Sequence, residues 1–282
     1  MPTIHCKRLI LPPKYVYVLT NTMERDQDIR QWLSSLPPIS LDEMSGIKLM
    51  NRTDTKFVTN KQHLVGLLEL AQGQYYAQQI DGNRIANYIT TYWDTPAHRF
   101  FLEHHNKRAP RQKIRVRTYV DSDLTFLEIK TKNNHGRTKK KRITVASQEL
   151  QSLIDAGGDE FCDKLTHVTT ADILQTVQNR FQRITLVNKG KTERLTIDFN
   201  VGFHNYETDC EAGTGDLVII ELKRDGNVYS PVLEILRQLR IKPSGFSKYC
   251  IGSILTNSSL KNNLFKKKLV RINRLSGEHF TL

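Results

Sequence analysis

The chain has 282 residues, 38% of them hydrophobic, with a formal net charge of +13 and a pI near 9.6. Length and apolar content argue against a disordered or fibrous chain and leave one large domain or two small ones with ample material for a core. The charge excess argues against polycationic partners; it fits nucleic acid, polyphosphate, nucleotides or an anionic membrane surface, or else a merely basic solvated exterior.

Cys6, Cys162, Cys210 and Cys250 are scattered, with no CxxC or Cys/His ligand spacing, so a structural zinc site is not expected and reduced thiols are. The first 19 residues lack the apolar core and cleavage site of a signal peptide, and no apolar run is long enough to span a bilayer. These features predict a cytoplasmic protein without a transmembrane segment.

Residues 1–40 are weakly patterned and read as an N-terminal extension: Pro12, Pro13, Pro37 and Pro38 interrupt long elements, with a short helix over 20–35. Ser40 and Glu43 match a capping box. Residues 48–59 predict a strand, and Asn60 caps a helix over 61–72 in which Leu64, Leu67, Leu68 and Ala71 recur at helical spacing. Tyr75 and Tyr76 start an extended piece, 87–95 reads as a strand, and 97–105 as a short helix in which His104 and His105 form a surface or supporting pair. Residues 113–143 predict three strands, with a turn at 133–136. From 147 to about 180 the pattern reads as helix, broken near Gly157 and Gly158. Strands follow at 182–188, 193–201 and 217–224. A helix with Pro231 in its first position spans 230–241, 244–255 reads as a last strand or a loop and strand, and the basic tail 257–282 contains a helix. Residues 41–282 form one predicted domain including that tail.

The recurring feature is a charged face on successive strands, because residues two apart share a face. The sets are Arg52/Asp54/Lys56, Arg115/Arg117, Glu128/Lys130/Lys132, Lys140/Arg142, Arg194/Asp198 and Glu221/Lys223. One such strand is an ordinary solvated face; so many, biased to Arg and Lys, fit a closed barrel with a polar interior better. Enclosed like charges repel, so anions must fill the space. Arg supplies forked contacts to phosphate and Lys a point charge. The carboxylates are too sparse to neutralise the lining. Glu221 is open to metal binding, and Glu128 reads rather as an ion-pair partner of neighbouring cations. Tyr119 and Tyr249 are phosphate donors or packing residues. There is no GxxxxGK[ST] loop, no HExxH and no Ser/His/Asp pattern.

The motifs NRTDTKFV, YWDT, KIRVRTY, FLEIKTKNNHGRTKKKRI, ERLTID, IIELK and FSKYC, in this order over residues 41–272, resemble the VTC-type polyphosphate polymerase domain of the triphosphate tunnel metalloenzyme (CYTH-like) superfamily. The resemblance implies an α+β fold, an antiparallel β-barrel tunnel of about eight strands with helices packed outside and at the C-terminus. It implies transfer of the γ-phosphate of ATP to polyphosphate with a divalent cation, Mn or Mg. Carried over by motif, Arg115, Arg117, Lys130, Arg194 and Lys248 take catalytic positions and Glu221 the metal position. Lys56 and Lys140 take phosphate-binding positions, to which the shared faces add Arg52, Lys132, Arg142 and Lys223; Lys189 and the hydroxyl of Tyr249 complete the expected phosphate-binding set. Two positions depart from the family pattern: Val187-Asn-Lys189 stands where the family has Tyr-x-Arg, and Lys132 replaces a histidine. The expected partners are ATP or another nucleoside triphosphate and polyphosphate or triphosphate. The alternatives are a tripolyphosphatase or nucleoside triphosphatase, and a non-catalytic polyphosphate or inositol-phosphate sensor. Nucleic acid is a poor fit, because inward charges are badly placed for a duplex.

Overall fold

Antiparallel pairing organises the computed structural model of the chain, which describes residues 13–45, 47, 52–135, 137–146, 152–154, 157–226 and 228–278. The first elements are helix α1 (Pro13–Ser35), strand β1 (Pro38–Ile39), α2 (Leu41–Ser45), β2 (Arg52–Asn60), α3 (Lys61–Leu70), β3 (Tyr75–Gln78), β4 (Ala86–Asp94) and α4 (Arg99–His105). Then come β5 (Arg111–Tyr119), β6 (Leu124–Lys132), β7 (Thr138–Val145), α5 (Asp159–Leu165), β8 (Leu174–Asn188), β9 (Glu193–Asn205), β10 (Glu211–Gly213) and β11 (Leu217–Asp225). Helices α6 (Pro231–Gln238), α7 (Lys248–Thr256) and α8 (Lys266–Ser276) complete the described chain. No described helix is long and apolar enough to cross a membrane.

Eight strands follow one path in the order β2-β11-β9-β8-β4-β5-β6-β7. The path is not closed: β2 and β7 are its ends and do not pair, so the expected barrel is an open, curled sheet. The free edge of β2 is covered by chain rather than by a strand. Ser244 N donates to Lys56 O at 2.8 Å, Pro243 bridges Phe57, and Arg271 Nη2 reaches Val58 O at 3.3 Å. Occupying an edge in this way removes a template for unwanted strand pairing.

Strand alternation sorts the side chains onto two faces. On β8, β9 and β11 the outward set is Ile184, Leu186, Leu195, Ile197, Phe199, Val218, Ile220 and Leu222, all buried. They pack on Ile29 and Leu33 of α1, on Leu64, Leu67 and Leu68 of α3, and on Val232, Ile235 and Leu236 of α6. Each such side chain contributes roughly 1.5–3 kcal/mol of burial. Local signals place these helices. Asn60 accepts from His63 N at 3.0 Å, and Pro231 stands at the start of α6. Ile114, Val116, Leu127 and Ile129 cover the other half of the outer face with Leu153, Cys162 and Ile173. The capping box is formed: Ser40 N donates to Glu43 Oε2 at 2.9 Å, and Glu43 N donates to Ser40 Oγ at 3.2 Å.

Three predicted elements differ. Helix α1 is longer than the predicted 20–35, because Pro13 sits at its first position, where a missing N–H costs nothing. Residues 174–180 are strand, not helix: β8 runs unbroken through them with Val177 fully buried. Residues 248–256 are helix, not strand. Ser247 caps them, accepting from Cys250 N at 3.2 Å, and their apolar, β-branched run is that of a helix buried on nearly every side.

Helix α7 fills one end of the curled sheet. A Cβ on Gly252 would lie 2.4 Å from Phe203 Cδ1, so only glycine permits this approach. Tyr249 stacks on Tyr92 at 4.9 Å, and its hydroxyl donates to the buried Asp94 carboxylate, which also accepts from Thr95 N, Phe100 N and Phe101 N. One carboxylate thus holds the start of α4 and anchors α7. Tyr249→Phe leaves Asp94 short of a donor and is expected to lower stability by about 1–3 kcal/mol, read from denaturant unfolding.

Candidate functional site

The inner face of the β5–β6–β7 half is built by register. Arg115, Glu128 and Arg142 form one row, and Lys113, Lys130 and Lys140 the next. Glu128 is fully buried and doubly paired: Arg115 Nε donates to Oε2 at 2.7 Å and Lys140 Nζ to Oε1 at 2.8 Å. Burial works to raise the Glu128 carboxyl, but Arg115, Arg117 and Lys140 outweigh it and hold it far below the usual range. Arg117 Nε donates to Thr90 Oγ1 at 3.1 Å. Burial, with Arg115 and Arg183 nearby, lowers the Arg117 guanidinium to about 10, and it stays charged.

The β2–β11–β9–β8 half carries the complementary rows. Lys56 bonds Glu221 Oε1, and Lys223 lies 3.6 Å from Oε2. Burial opposes ionisation of Glu221, but Lys223, Lys56 and Lys130 bring it to about 2. Arg183 forks onto Asp198 at 2.6 and 2.8 Å, and Lys248, in the first turn of α7, bonds the same carboxylate. Arg194 pairs in register with Lys223, and Thr196 with Glu221. Thr196 Oγ1 is buried with no hydrogen-bond partner among the described residues.

The two halves face each other. Lys130 on β6 and Glu221 on β11 are far apart along the strand order yet within electrostatic reach. Arg115 foremost, then burial and Arg117, push the Lys130 ammonium down to about 6 against the pull of Glu221 and Glu128. Aromatic rings line the same surface. Tyr88 stacks on Phe181 at 5.1 Å, with Arg117 and Arg183 over both rings and Lys248 Nζ 4.1 Å from Phe181.

Of the residues singled out in the sequence, Lys56, Arg115, Arg117, Lys130, Lys140, Arg194, Glu221, Lys223 and Lys248 fall on this inner surface. Arg142 shares the row of Glu128 but is exposed, its guanidinium 4.3 Å from the Phe126 ring. Lys132 lies two residues on from Lys130, half-buried and near His104. The Arg52 side chain lies outside the described residues. Three expectations are corrected, at Tyr249, Lys189 and His105. Tyr249 is no phosphate donor here, because its hydroxyl is held by Asp94 and it is 1% exposed. Lys189 sits exposed in the β8–β9 turn. Arg183, six residues earlier on β8, places its guanidinium in the site through its pair with Asp198. Arg183 and Lys113 were missed, although each extends an alternation already visible, Arg183 with Thr185 and Lys113 with Arg115. Lys113 Nζ donates to Ser247 Oγ at 2.9 Å, tying β5 to the cap of α7. His105 is a core residue, 1% exposed and edge-on to Phe265 at 5.5 Å, not a surface one.

Among the described residues no group of three or more His, Cys, Asp or Glu is placed to hold a metal ion. The donors still fit a hard divalent cation of the Mg type, which takes one or two carboxylates and fills its remaining positions with phosphate oxygens and water. Glu221 is ionised, and the unpartnered Thr196 hydroxyl stands beside it.

An open antiparallel sheet, clad in helices and carrying cations on its concave face, is the class these features define. A sequence profile of the VTC domain matches residues 51–257, and the chain belongs to that family. No curated protein matches it. Among solved structures it is similar to an adenylyl-cyclase-like protein from Hippeastrum described as having a dominant triphosphatase activity: 13% identity, 76% of this chain and 99% of that one, TM-score 0.47. It is also similar to a protein designated an adenylate cyclase from Vibrio parahaemolyticus, at 8% identity, 72% and 99% coverage and TM-score 0.43. An RNA triphosphatase from S. pombe matches at 8% identity, 98% and 99% coverage and TM-score 0.27.

The depressed Lys130 ammonium couples anion binding to protons. A polyanion beside Lys130 favours its charged form and raises its pKa. Above pH 6, where the free protein holds this lysine largely neutral, binding takes up a proton. Titration calorimetry of tripolyphosphate at pH 7.5, in buffers of differing ionisation enthalpy, is expected to show a net proton balance shifted towards uptake in the unaltered protein relative to Lys130→Met, since the ligand's own protons are common to both.

Proposed function

We propose that this protein is a metal-dependent phosphotransferase that binds triphosphate or polyphosphate in the basic trough and makes polyphosphate from ATP. The observation that carries this reading is the state of the carboxylates. Glu128, Asp198 and Glu221 are each already held by two cations. Among the described residues the cations on the facing strands outnumber these carboxylates, and a polyanion would balance the excess. Membership of the VTC family supports the same ligand class.

In this reading Arg115, Arg117, Lys130, Arg194 and Lys248 hold the reacting phosphates, and Lys56, Lys140 and Lys223 extend the grip along the chain. Arg183 and Lys113, absent from the motif assignment, join them. Their work is alignment and charge stabilisation, which dominates phosphoryl transfer. Glu128 positions Arg115 and Lys140; Asp198 does so for Arg183 and Lys248. Glu221, with Thr196 beside it, would hold the divalent cation, which would supply positive charge against the developing negative charge of the reacting phosphates. No side chain needs to become covalently modified, because the end of the phosphate chain is itself a nucleophile. An RNA-binding role is disfavoured by the same geometry, since the cations face inward.

Incubation with ATP and Mn²⁺, followed by gel electrophoresis, is expected to give long phosphate chains. Free phosphate alone would replace synthesis with hydrolysis, and ATP binding without turnover would leave a sensor. Glu221→Gln is expected to lower turnover by roughly a hundredfold or more. Tripolyphosphate affinity is kept or tightened in that variant, because Lys56 and Lys223 lose a competing carboxylate. Chelation of the divalent cation should stop turnover in the unaltered protein while leaving tripolyphosphate bound.

A further inference from the structure

The YWDT stretch closes strand β4, and its Asp94 holds α4 and α7 in place. Its Tyr92 has a position in the trough and no part yet in its work. Register sets Tyr92 opposite Arg115, in the row that continues to Glu128 and Arg142. On its other side stands Val177 of β8. Tyr92 is 5% exposed, and its ring stacks on Tyr249 at 4.9 Å with 28° between the planes, so α7 helps to fix its orientation.

The hydroxyl lies among cations. Lys113, Arg115 and Arg117 of β5 and Lys248 of α7 are all within electrostatic reach of it. These groups are themselves fastened. Lys113 Nζ donates to Ser247 Oγ at 2.9 Å, Lys248 bonds Asp198, and Arg117 Nε donates to Thr90 Oγ1 at 3.1 Å. Glu128, the carboxylate of the row, is already taken by Arg115 and Lys140. Burial resists ionisation of the Tyr92 phenol, but the four cations outweigh it and hold the phenol below its ordinary value. Burial pushes the phenols of Tyr88 and Tyr249 the other way.

Guanidinium and ammonium groups donate hydrogen bonds and cannot accept them. A hydroxyl among such groups can receive from them but can pass its own proton to none. An anion lying among the same cations is the matching acceptor, and a phosphate oxygen fits. We propose that the Tyr92 hydroxyl donates a hydrogen bond to a phosphate group held by Arg115, Arg117 and Lys248, as a further binding residue of the trough. The proposal rests on the reading of the trough as a phosphate site and adds a residue to it. An uncharged donor has a distinct use there, because it grips phosphate without adding to the repulsion among the cations.

Tyr92→Phe keeps the ring and its stack on Tyr249 and removes only the hydroxyl. Titration calorimetry near neutral pH is expected to show tripolyphosphate bound about tenfold more weakly by this variant. A second measurement follows the phenol itself through the near-ultraviolet absorbance of tyrosinate. The chain has ten tyrosines, so the Tyr92 step is the one missing from Tyr92→Phe. In the free protein this step is expected at lower pH than that of an ordinary tyrosine. Saturating tripolyphosphate is expected to move it to higher pH, because an acceptor and a neighbouring negative charge both favour the protonated phenol. A role confined to packing would leave the step where it is. The proposal is overturned if Tyr92→Phe binds tripolyphosphate within about twofold of the unaltered protein, or if the ligand shifts no ionisation that this variant lacks. An unaltered protein that binds no tripolyphosphate removes the underlying reading instead.

Discussion

Surplus positive charge facing its own kind across a curled sheet is the constraint to which the other features answer. Like charges in a partly desolvated space repel, and the protein meets this with three carboxylates, each shared between two cations. That sharing sets directions. Glu128 orients Arg115 and Lys140, and Asp198 fixes Arg183 and Lys248, so guanidinium and ammonium groups are arranged before any ligand arrives. What remains unbalanced is visible in Lys130, which its neighbours drive towards neutrality.

The apolar cladding supplies the stability that this interior withholds. Strand alternation sends Leu, Ile, Val and Phe outward under α1, α3 and α6, where they form a continuous core. The face that does chemistry and the face that holds the fold together are thus the two sides of the same strands. A one-residue slip of register would exchange them and ruin both at once. The bulge in the β8–β9 pairing near Arg180 and Gln182 lies beside Phe181, at the point where the inner face changes from apolar side chains under α7 to Arg183 and Asp198.

Much of the site was legible because period-two alternation survives in the raw sequence. Arg115 and Arg117, Glu128 and Lys130, Arg194 and Asp198, and Glu221 and Lys223 each announce a face. Arg183 is harder to read, because the residues before it carry a helical pattern and the strand pattern begins just beside it. The real β8 is 15 residues long and starts at Leu174. Helix α7 was illegible for a different reason. A short helix buried on almost all sides has no polar stripe, so Tyr249 to Thr256 look like a buried strand. What distinguishes it is the Ser247 cap and the glycine that lets it approach Phe203, and both acquire meaning only with the sheet in place. The incomplete closure was beyond periodicity altogether, since it depends on which edge meets which.

The position of α7 has a mechanical consequence. The helix and its cap are moored to Asp94 on β4, Asp198 on β9 and Lys113 on β5. Side chains thus tie the two halves of an unclosed sheet to one another at this point. The spacing of the facing cations is held there by a helix, not by a closed ring of strands.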